Sequence, residues 1–125
     1  MTTWTSEELN KIGKAEELQI ASLRSDGTLR MFVTIWVVRL AEDLYVRSVN
    51  GRNSAWFRGV QTRHEGHIRA GGVDRDVTFM EEPDSDINNQ VDAAYATKYR
   101  RYGASIIGHI DGAEARVATV KLVPR

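Results

Sequence analysis

The segment SDGTLRMFVTIWVVRL, residues 25–40, carries the clearest indication of fold in the chain. Its Asp-Gly step at Asp26 allows a tight reversal of the chain, because glycine adopts a positive φ without steric cost. The residues after the turn alternate in chemical type, as they do along a β-strand whose successive side chains point to opposite faces. We therefore predict a β-hairpin with arms LQIASL, residues 18–23, and LRMFVTIWVVRL, residues 29–40.

The two faces of the second arm differ in character, one being aliphatic like a protein core and the other mixed. The aliphatic face carries Leu29, Met31, Val33, Ile35 and Val37. The mixed face carries Arg30, Phe32, Thr34 and Trp36. We expect Leu29, Val33 and Ile35 in the core. We also expect the mixed face to form a homodimer interface, because a small monomer has little surface with which to cover its two aromatic rings.

The rest of the chain continues a β-rich pattern with helices between the strands. Further strands are predicted at LYVRSV, EGHIRAGG, DRDVTFM and EARVATVKLVP, which brings the number of strands to six. Helices are predicted at TSEELNKIGKA, at SAWFRGVQ with Asn53 or Ser54 as its cap, and from about Ser85 to Tyr102. Six mostly antiparallel strands with peripheral helices indicate one mainly β (α+β) domain over residues 1–125, a small barrel.

Composition excludes several classes of function. The chain has 17 basic and 17 acidic residues, so it has no net positive field to bind nucleic acid or an anionic membrane. Cysteine is absent, which excludes disulfides, thiolate metal sites and cysteine nucleophiles and fits a reducing cytoplasm. The N-terminal residues include acids and no apolar run, so neither a signal peptide nor a membrane span is expected. We expect a cytoplasmic protein whose partner is a small molecule.

The stretch YVRSVNGRNSAWFRG, residues 45–59, predicts a strand, a polar turn and the start of a helix. The unpaired N–H groups at a helix N-terminus bind phosphate readily, and arginines add charge-assisted hydrogen bonds. The candidate phosphate contacts are Arg47, Ser48, Asn50, Gly51, Arg52, Asn53 and Ser54. A merely solvated strand-to-helix turn has the same composition, so these residues alone leave both interpretations open.

The order of these segments resembles that of the split-barrel flavin and deazaflavin proteins, the pyridoxamine-phosphate-oxidase-like superfamily, over residues 17–123. The resemblance is nearest to an uncharacterised bacterial family known only as a domain of unknown function. It rests on SDGTLRMFVTIWVV, EDLYVRSVNG and AWFRGVQTRHEGHIRAGG, followed by a hairpin, a helix and a final strand. It implies a six-stranded antiparallel split β-barrel of the FMN-binding type, with flavin mononucleotide or a deazaflavin as the cofactor.

The resemblance also implies positions for the cofactor. In the deazaflavin-dependent members, a third-strand serine, a Gly-rich turn and an Ala-Trp-aromatic helix start surround the cofactor phosphate. Ser48, Gly51 and Ala55-Trp56-Phe57 resemble these positions, and we expect Trp56 itself to be mostly core, anchoring the helix to the barrel. The same resemblance places the cofactor ring near Thr34 and Trp36, at a dimer interface.

Two departures from the family pattern keep a second function open. The residues Ser25-Asp26-Gly27 stand where a basic hairpin turn is usual, and Gly59 stands where an asparagine is usual. The first hypothesis is an oxidoreductase-like protein of unknown substrate that binds flavin or deazaflavin. The second is a small-ligand or interaction module that has kept the barrel and lost the cofactor.

Other candidate sites are weaker. His64 and His67 are three residues apart in a predicted strand, so they point to opposite faces and no metal site is predicted. His109 could act as a base, but a lone histidine between isoleucines is more often packed and hydrogen-bonded. The candidate proton donors at helical spacing are Tyr95, Tyr99 and Tyr102. Such tyrosines more often complete a core or an interface, so no catalytic residue is assigned.

Overall fold

The computed structural model describes residues 3–125 of the chain, which form five α-helices, two short 3-10 turns and seven β-strands. The helices are α1 (Ser6–Lys14), α2 (Ala55–Thr62), α3 (Ser85–Lys98), α4 (Ala104–Ile110) and α5 (Ala113–Arg116), and the 3-10 turns are Gly51–Asn53 and Arg100–Tyr102. The strands are β1 (Leu18–Ser22), β2 (Val33–Ile35), β3 (Val37–Leu40), β4 (Asp43–Arg47), β5 (Glu65–Ala70), β6 (Val73–Glu81) and β7 (Thr119–Pro124).

All seven strands belong to one antiparallel sheet in the order β2-β1-β5-β6-β7-β4-β3. Its two edge strands, β2 and β3, follow each other directly in the chain and are separated only by Trp36. The chain therefore passes from one edge of the sheet to the other at this residue and nearly closes a barrel. The antiparallel split-barrel prediction is confirmed.

The strand count is seven rather than six because the predicted second arm is divided at Trp36. Before this residue the chain pairs with β1, with Ile20 opposite Val33, and after it the chain pairs with β4, with Val37 opposite Val46. One straight strand cannot be hydrogen-bonded to both ends of the sheet, so the backbone bends. Side chains keep alternating through the bend: Ile35 and Val37 pack against the barrel core, while Trp36 and Val38 pack in a second apolar cluster that includes residues of α3.

The hairpin at Asp26 is present, but the core prediction for its second arm is wrong in two places. Gly27 has a φ of 90°, and regular pairing with β1 begins only at Val33. Leu29 and Val33 are each 38% exposed, and Met31 is 85% exposed. Ile35 is partly buried against the barrel core, as expected for one member of this face. An edge strand has no neighbour on its outer side, so its aliphatic residues are not fully covered.

The barrel interior and the outer helices bury two separate apolar clusters. The interior cluster includes Leu18, Ile20, Val46, Phe57 and Phe79, together with Leu9 and Ile12 from the predicted helix α1. The outer cluster packs Val91, Tyr95 and Tyr99 of the segment 85–102 against Val38 and Tyr45. The predicted helix over this segment is confirmed as α3 followed by a 3-10 turn.

The predicted closing strand begins later than expected. The residues Ala113–Arg116 form helix α5, and the strand begins at Thr119. Val117, which the prediction placed within the strand, lies before it and is 58% exposed.

A membrane-spanning helix needs both sufficient length and apolar character, and none of the helices of residues 3–125 has both.

Candidate functional site

The turn between β4 and α2 is held by its own polar groups. The hydroxyl of Ser48 donates to Ser54 Oγ at 2.7 Å, and the Gly51 N–H donates to the Ser48 carbonyl at 2.9 Å. Ser54 is the N-cap of α2, since its Oγ accepts from the Phe57 N–H at 3.3 Å, which confirms one of the two predicted caps. Gly51 has a φ of 72°, and a Cβ there would come within 2.5 Å of Glu114 Cγ, so this position requires glycine.

Two cavities lie between the segments 30–36 and 47–56. The first, called here the β2–α4 cavity, has a volume of about 300 Å³ and a lining that includes Thr34, Trp36, Val49, Ile106 and His109. The second, called here the β2–α2 cavity, has a volume of about 290 Å³ and a lining that includes Ser22, Arg24, Arg30, Ala55 and Trp56. Residues of β2 line both cavities, so a ligand lying along this strand would contact both of them.

The β2–α4 cavity is mainly apolar and has an aromatic wall. The ring of Trp36 stacks on that of Tyr99 with centroids 3.9 Å apart and planes within 4° of each other. Val49 and Ile106 are 48% and 45% exposed, so they present apolar surface to a ligand. Thr34 and Trp36, which were predicted to meet a cofactor ring, lie together in this cavity.

Two residues that line the β2–α2 cavity carry buried side-chain polar atoms without a hydrogen-bond partner. Within residues 3–125, Ser22 Oγ and Arg30 Nε are the buried side-chain polar atoms that lack a hydrogen-bond partner. Such groups are uncommon in folded proteins and often mark a missing water, ion or ligand. A Cβ on Gly59 would clash with Ser22 Oγ and lie 3.2 Å from Arg30 Nε. The departure from asparagine at Gly59 therefore leaves room for the Arg30 side chain.

Arg47 lines the β2–α4 cavity, but its donors are used by groups of its own chain. Its side chain is buried, with 1% of the residue exposed, and all five of its N–H groups have acceptors in its own chain. The acceptors are Thr119 Oγ1, Asp92 Oδ1, Ile110 O, Asp111 Oδ1, Asn88 O and Asn88 Oδ1. No donor is left for a phosphate, so Arg47 joins β4 to α3, α4 and β7 instead.

Arg52 lies outside both β2 cavities. Its Nη1 donates to Glu81 Oε1 at 2.8 Å and to the Val117 carbonyl at 3.0 Å, and its guanidinium lies 5.2 Å from the centre of the Phe57 ring. It lines a separate cavity of about 510 Å³ that also contains Arg116. Asn50 and Asn53 are exposed on the same turn.

Trp56 is less buried than expected, and its neighbour Phe57 is the core residue of α2. Phe57 is fully buried in the barrel core, whereas Trp56 is only partly buried and lines the β2–α2 cavity. The expectation that Trp56 is the main core anchor is therefore wrong. Trp56 packs against the barrel core with part of its surface and lines the cavity.

Burial separates the three candidate proton donors. The Tyr95 hydroxyl donates to the Trp36 carbonyl, and the Tyr99 hydroxyl contacts Val37 and the Glu16 carbonyl. Burial raises the pKa of Tyr99 to about 12 and raises that of Tyr95 still further. Tyr102 is 41% exposed, with its ring centroid 5.0 Å from that of Trp36. His109 is exposed and lines the β2–α4 cavity, whereas Tyr102 lies beside Trp36 and is not part of the lining.

The aromatic face proposed for a dimer is partly covered by its own chain. The guanidinium of Arg69 lies 4.2 Å from the centre of the Phe32 ring, and His67 packs against the edge of the same ring. His67 itself lies between Asp74 and Asp76.

Within the described residues, no group of three or more histidine, aspartate and glutamate side chains has an arrangement that could hold a metal ion.

Ser22, Arg24 and Arg30 were not among the residues selected from the sequence. The sequence did contain a signal for Arg30, which is the one charged residue on the mixed face of the predicted strand. Ser22 gave no such signal, because a serine at the end of a strand is ordinary.

Comparisons with known proteins agree with this architecture. A protein-family model described as "Uncharacterized protein conserved in bacteria (DUF2255)" matches residues 8–122. None of the curated proteins matches the chain.

Several solved structures share the fold. A Listeria innocua protein provisionally assigned as a pyridoxamine 5′-phosphate oxidase has a TM-score of 0.67 at 12% identity, over 95% of this chain and 91% of that one. An F420 reductase has a TM-score of 0.59 at 14% identity, over 94% and 90% of the two chains. An FAD-binding protein from Mesorhizobium loti has a TM-score of 0.57 at 17% identity, over 98% and 91%. The chain therefore belongs to DUF2255, a family of uncharacterised proteins conserved in bacteria, and has the split-barrel fold of the flavin and deazaflavin proteins.

Proposed function

We propose that the protein binds a flavin-type cofactor, flavin mononucleotide or a deazaflavin, along β2, and that it is an oxidoreductase-like protein. The observation that carries the proposal is that Ser22 and Arg30, whose Oγ and Nε are buried without a partner, both line a cavity beside the first turn of α2. Bound cofactors of this type supply hydride chemistry, while the protein supplies orientation and electrostatics.

The chemistry of the two cavities suits the two ends of such a molecule. The β2–α2 cavity contains two arginines, a buried hydroxyl and the first residues of α2, whose N–H groups favour an anion. The β2–α4 cavity contains Trp36 and apolar residues, which suit a flat ring. We propose the phosphate at the turn before Trp56, on its β2 side, and the ring beside Thr34 and Trp36.

This arrangement assigns the cationic contact to Arg30 rather than to Arg47 or Arg52. Arg47 has no free donor, and Arg52 is paired with Glu81 away from β2. Ser48 and Ser54 would act indirectly, since their hydrogen bond holds the turn in shape.

A binding titration with two arginine variants tests the proposal. Wild type, Arg30→Gln and Arg52→Ala are titrated with flavin mononucleotide and with a deazaflavin, and binding is followed by cofactor fluorescence. Loss of a charge-assisted hydrogen bond in Arg30→Gln is expected to weaken binding about tenfold to a hundredfold, from roughly 1.5–3 kcal/mol. Arg52→Ala is the matched control and is expected to bind like wild type.

The outcomes separate the competing hypotheses. If wild type binds neither cofactor, the cofactor hypothesis fails and the module without a cofactor is favoured. If Arg30→Gln binds like wild type while Arg52→Ala does not, the phosphate lies on the Arg52 side of the turn.

We further propose that a homodimer covers the outer side of β2. Leu29, Met31 and Val33 are exposed apolar residues on or beside this edge strand, and the last two line the β2–α2 cavity. Covering them with a second copy would remove apolar surface from water and enclose the cavity. Sedimentation is expected to show a dimer for wild type and a monomer for Met31→Lys; a monomeric wild type at micromolar concentration contradicts the proposal.

A further inference from the structure

A second region of the molecule, separate from the β2 cavities, has an unusual combination of charge and apolar surface. A groove of about 480 Å³ lies between α3, β3 and the end of α1 and is called here the Lys98–Arg39 groove. Its apolar lining consists of Val38, Leu40, Ala93 and Ala94. Its uncharged polar side chains are Gln90 and Thr97.

The two charged residues that line the groove are both cations. Lys98 and Arg39 line it, and no carboxylate does. Neither cation takes part in any ion pair of residues 3–125. Lys121 differs from Lys98 in this respect, because its ammonium lies 3.6 Å from the Asp43 carboxylate. Two positive charges therefore face an apolar groove without a counter-charge.

The ammonium of Lys98 is held in place but not saturated. In the described chain its one hydrogen bond goes to the Val37 carbonyl at 2.7 Å, and its Nζ lies 5.1 Å from the centre of the Tyr99 ring. An ammonium has three N–H donors, so two remain for a ligand. Burial lowers the pKa of Lys98 to about 8, which indicates that the charged form lacks a compensating anion.

Arg39 lines the same groove, and its side chain is held by neutral groups. Its Nε donates to the Ala41 carbonyl at 2.7 Å, and its Nη1 donates to Asn10 Oδ1 at 2.8 Å. Its aliphatic part lies over Gly13 of α1, where a Cβ would come within 3.3 Å of Arg39 Cδ. The neutral contacts orient the guanidinium while leaving its charge uncompensated.

From this arrangement we infer that the groove binds a small organic anion, a carboxylate with an apolar tail. The carboxylate would pair with the ammonium of Lys98 and the guanidinium of Arg39, and the tail would lie on Val38, Leu40 and the two alanines. Charge complementarity selects the anionic head, because a cation would be repelled and a neutral head would leave both charges unpaired. The inference is independent of the proposed cofactor, since it uses none of the β2 residues.

Octanoate is a suitable probe because it has this chemistry and is small enough for the groove. A ligand of this size in an open groove is expected to bind with a dissociation constant on the order of a millimolar. Binding is followed by two-dimensional NMR of the isotope-labelled wild-type protein. The expected result is saturable shifts of the Ala93, Ala94 and Thr97 amides. Octanol and octylammonium, at equal concentrations, are expected to give much smaller shifts.

Variants test the two cations separately. Lys98→Gln and Arg39→Gln are each expected to weaken octanoate binding about tenfold, the lower end of the range for a charge-assisted bond, because the groove is open to solvent. Lys121→Gln is the matched control and is expected to bind like wild type.

Two results would overturn the inference. One is the absence of saturable shifts at these amides in wild type at octanoate concentrations well above a millimolar. The other is equal binding of octanoate and octanol, which would show that the tail alone is recognised. Both comparisons use the wild-type protein, so they hold even if a variant fails to fold.

Discussion

The buried guanidinium of Arg47 is expected to be the polar group on which stability depends most. Replacing it with methionine keeps an unbranched side chain in the same space but removes all five N–H donors. Asp92 and Asp111 would then face each other without the cation that lies 2.6 Å and 3.2 Å from them, and the buried side chains of Asn88 and Thr119 would each lose a donor. The Arg47→Met protein is therefore expected to be strongly destabilised.

The size of the effect follows from what remains after the substitution. Removing one partner of a buried ion pair costs about 3–5 kcal/mol, because the other charge stays buried. Arg116 still contacts Asp92, and both carboxylates are about one-quarter or one-fifth exposed, so we expect the lower end of this range. A loss of about 3 kcal/mol is a large part of the roughly 5–15 kcal/mol that stabilises a domain.

Asp111 provides a contrasting substitution in the same network. Burial and the charge of Asp92 raise the pKa of Asp111 to about 6, although Arg47 opposes the shift. A carboxyl whose pKa is raised on folding binds its proton more tightly in the folded state. Its contribution to stability therefore decreases as pH rises from the ordinary value of 3.8 to about 6. Asp111→Asn removes this loss, so at pH 7 the variant is expected to be as stable as wild type or more stable.

Urea unfolding at pH 5 and pH 7.5, followed by tryptophan fluorescence and circular dichroism, measures both effects. With a slope of about 1–3 kcal/mol/M, a loss of about 3 kcal/mol lowers the urea midpoint of Arg47→Met by roughly 1–3 M. The midpoint of Asp111→Asn is expected to stay at or above that of wild type at pH 7.5. The reasoning is refuted if Arg47→Met unfolds at the wild-type midpoint, or if Asp111→Asn is destabilised as much as Arg47→Met.

Three further predictions concern other parts of the barrel. Partial burial lowers the pKa of His67, but hydrogen bonds to two aspartates outweigh burial, so the net pKa is raised. Wild type should therefore lose stability as pH rises above 6.5. The difference between the urea midpoints at pH 6 and pH 9 should be smaller in His67→Gln than in wild type. Phe57→Ala should cost about 3–5 kcal/mol and Trp56→Ala about 1–2 kcal/mol, because only Phe57 is fully buried; the opposite order in urea would contradict the assignment of the core. Gly51→Ala should cost about 1–2 kcal/mol through its positive φ and its contact with Glu114, and an unchanged melting temperature would count against that strain.

The features that could be predicted from the sequence are those that depend on neighbouring residues. The turn at Asp26, the capping of α2 by Ser54 and the helix over residues 85–102 each involve residues only a few positions apart. Turn, cap and periodicity arise from local backbone geometry, so a short stretch of sequence contains the information for them. Combined with the family resemblance, these local features were enough to predict the split barrel.

The rest depended on contacts between residues far apart in the chain, which local patterns do not contain. The bend at Trp36 arises because barrel closure requires pairing with β1 on one side and β4 on the other, and this exposes Leu29 and Val33. The partners of Arg47 lie 41 to 72 residues away, and an arginine has the same pattern in the sequence whether its partners are in the protein or in a ligand. For the same reason only the tertiary structure could bring the unpaired groups of Ser22 and Arg30 together, since the approach of α2 to β1 decides which polar atoms lose contact with water.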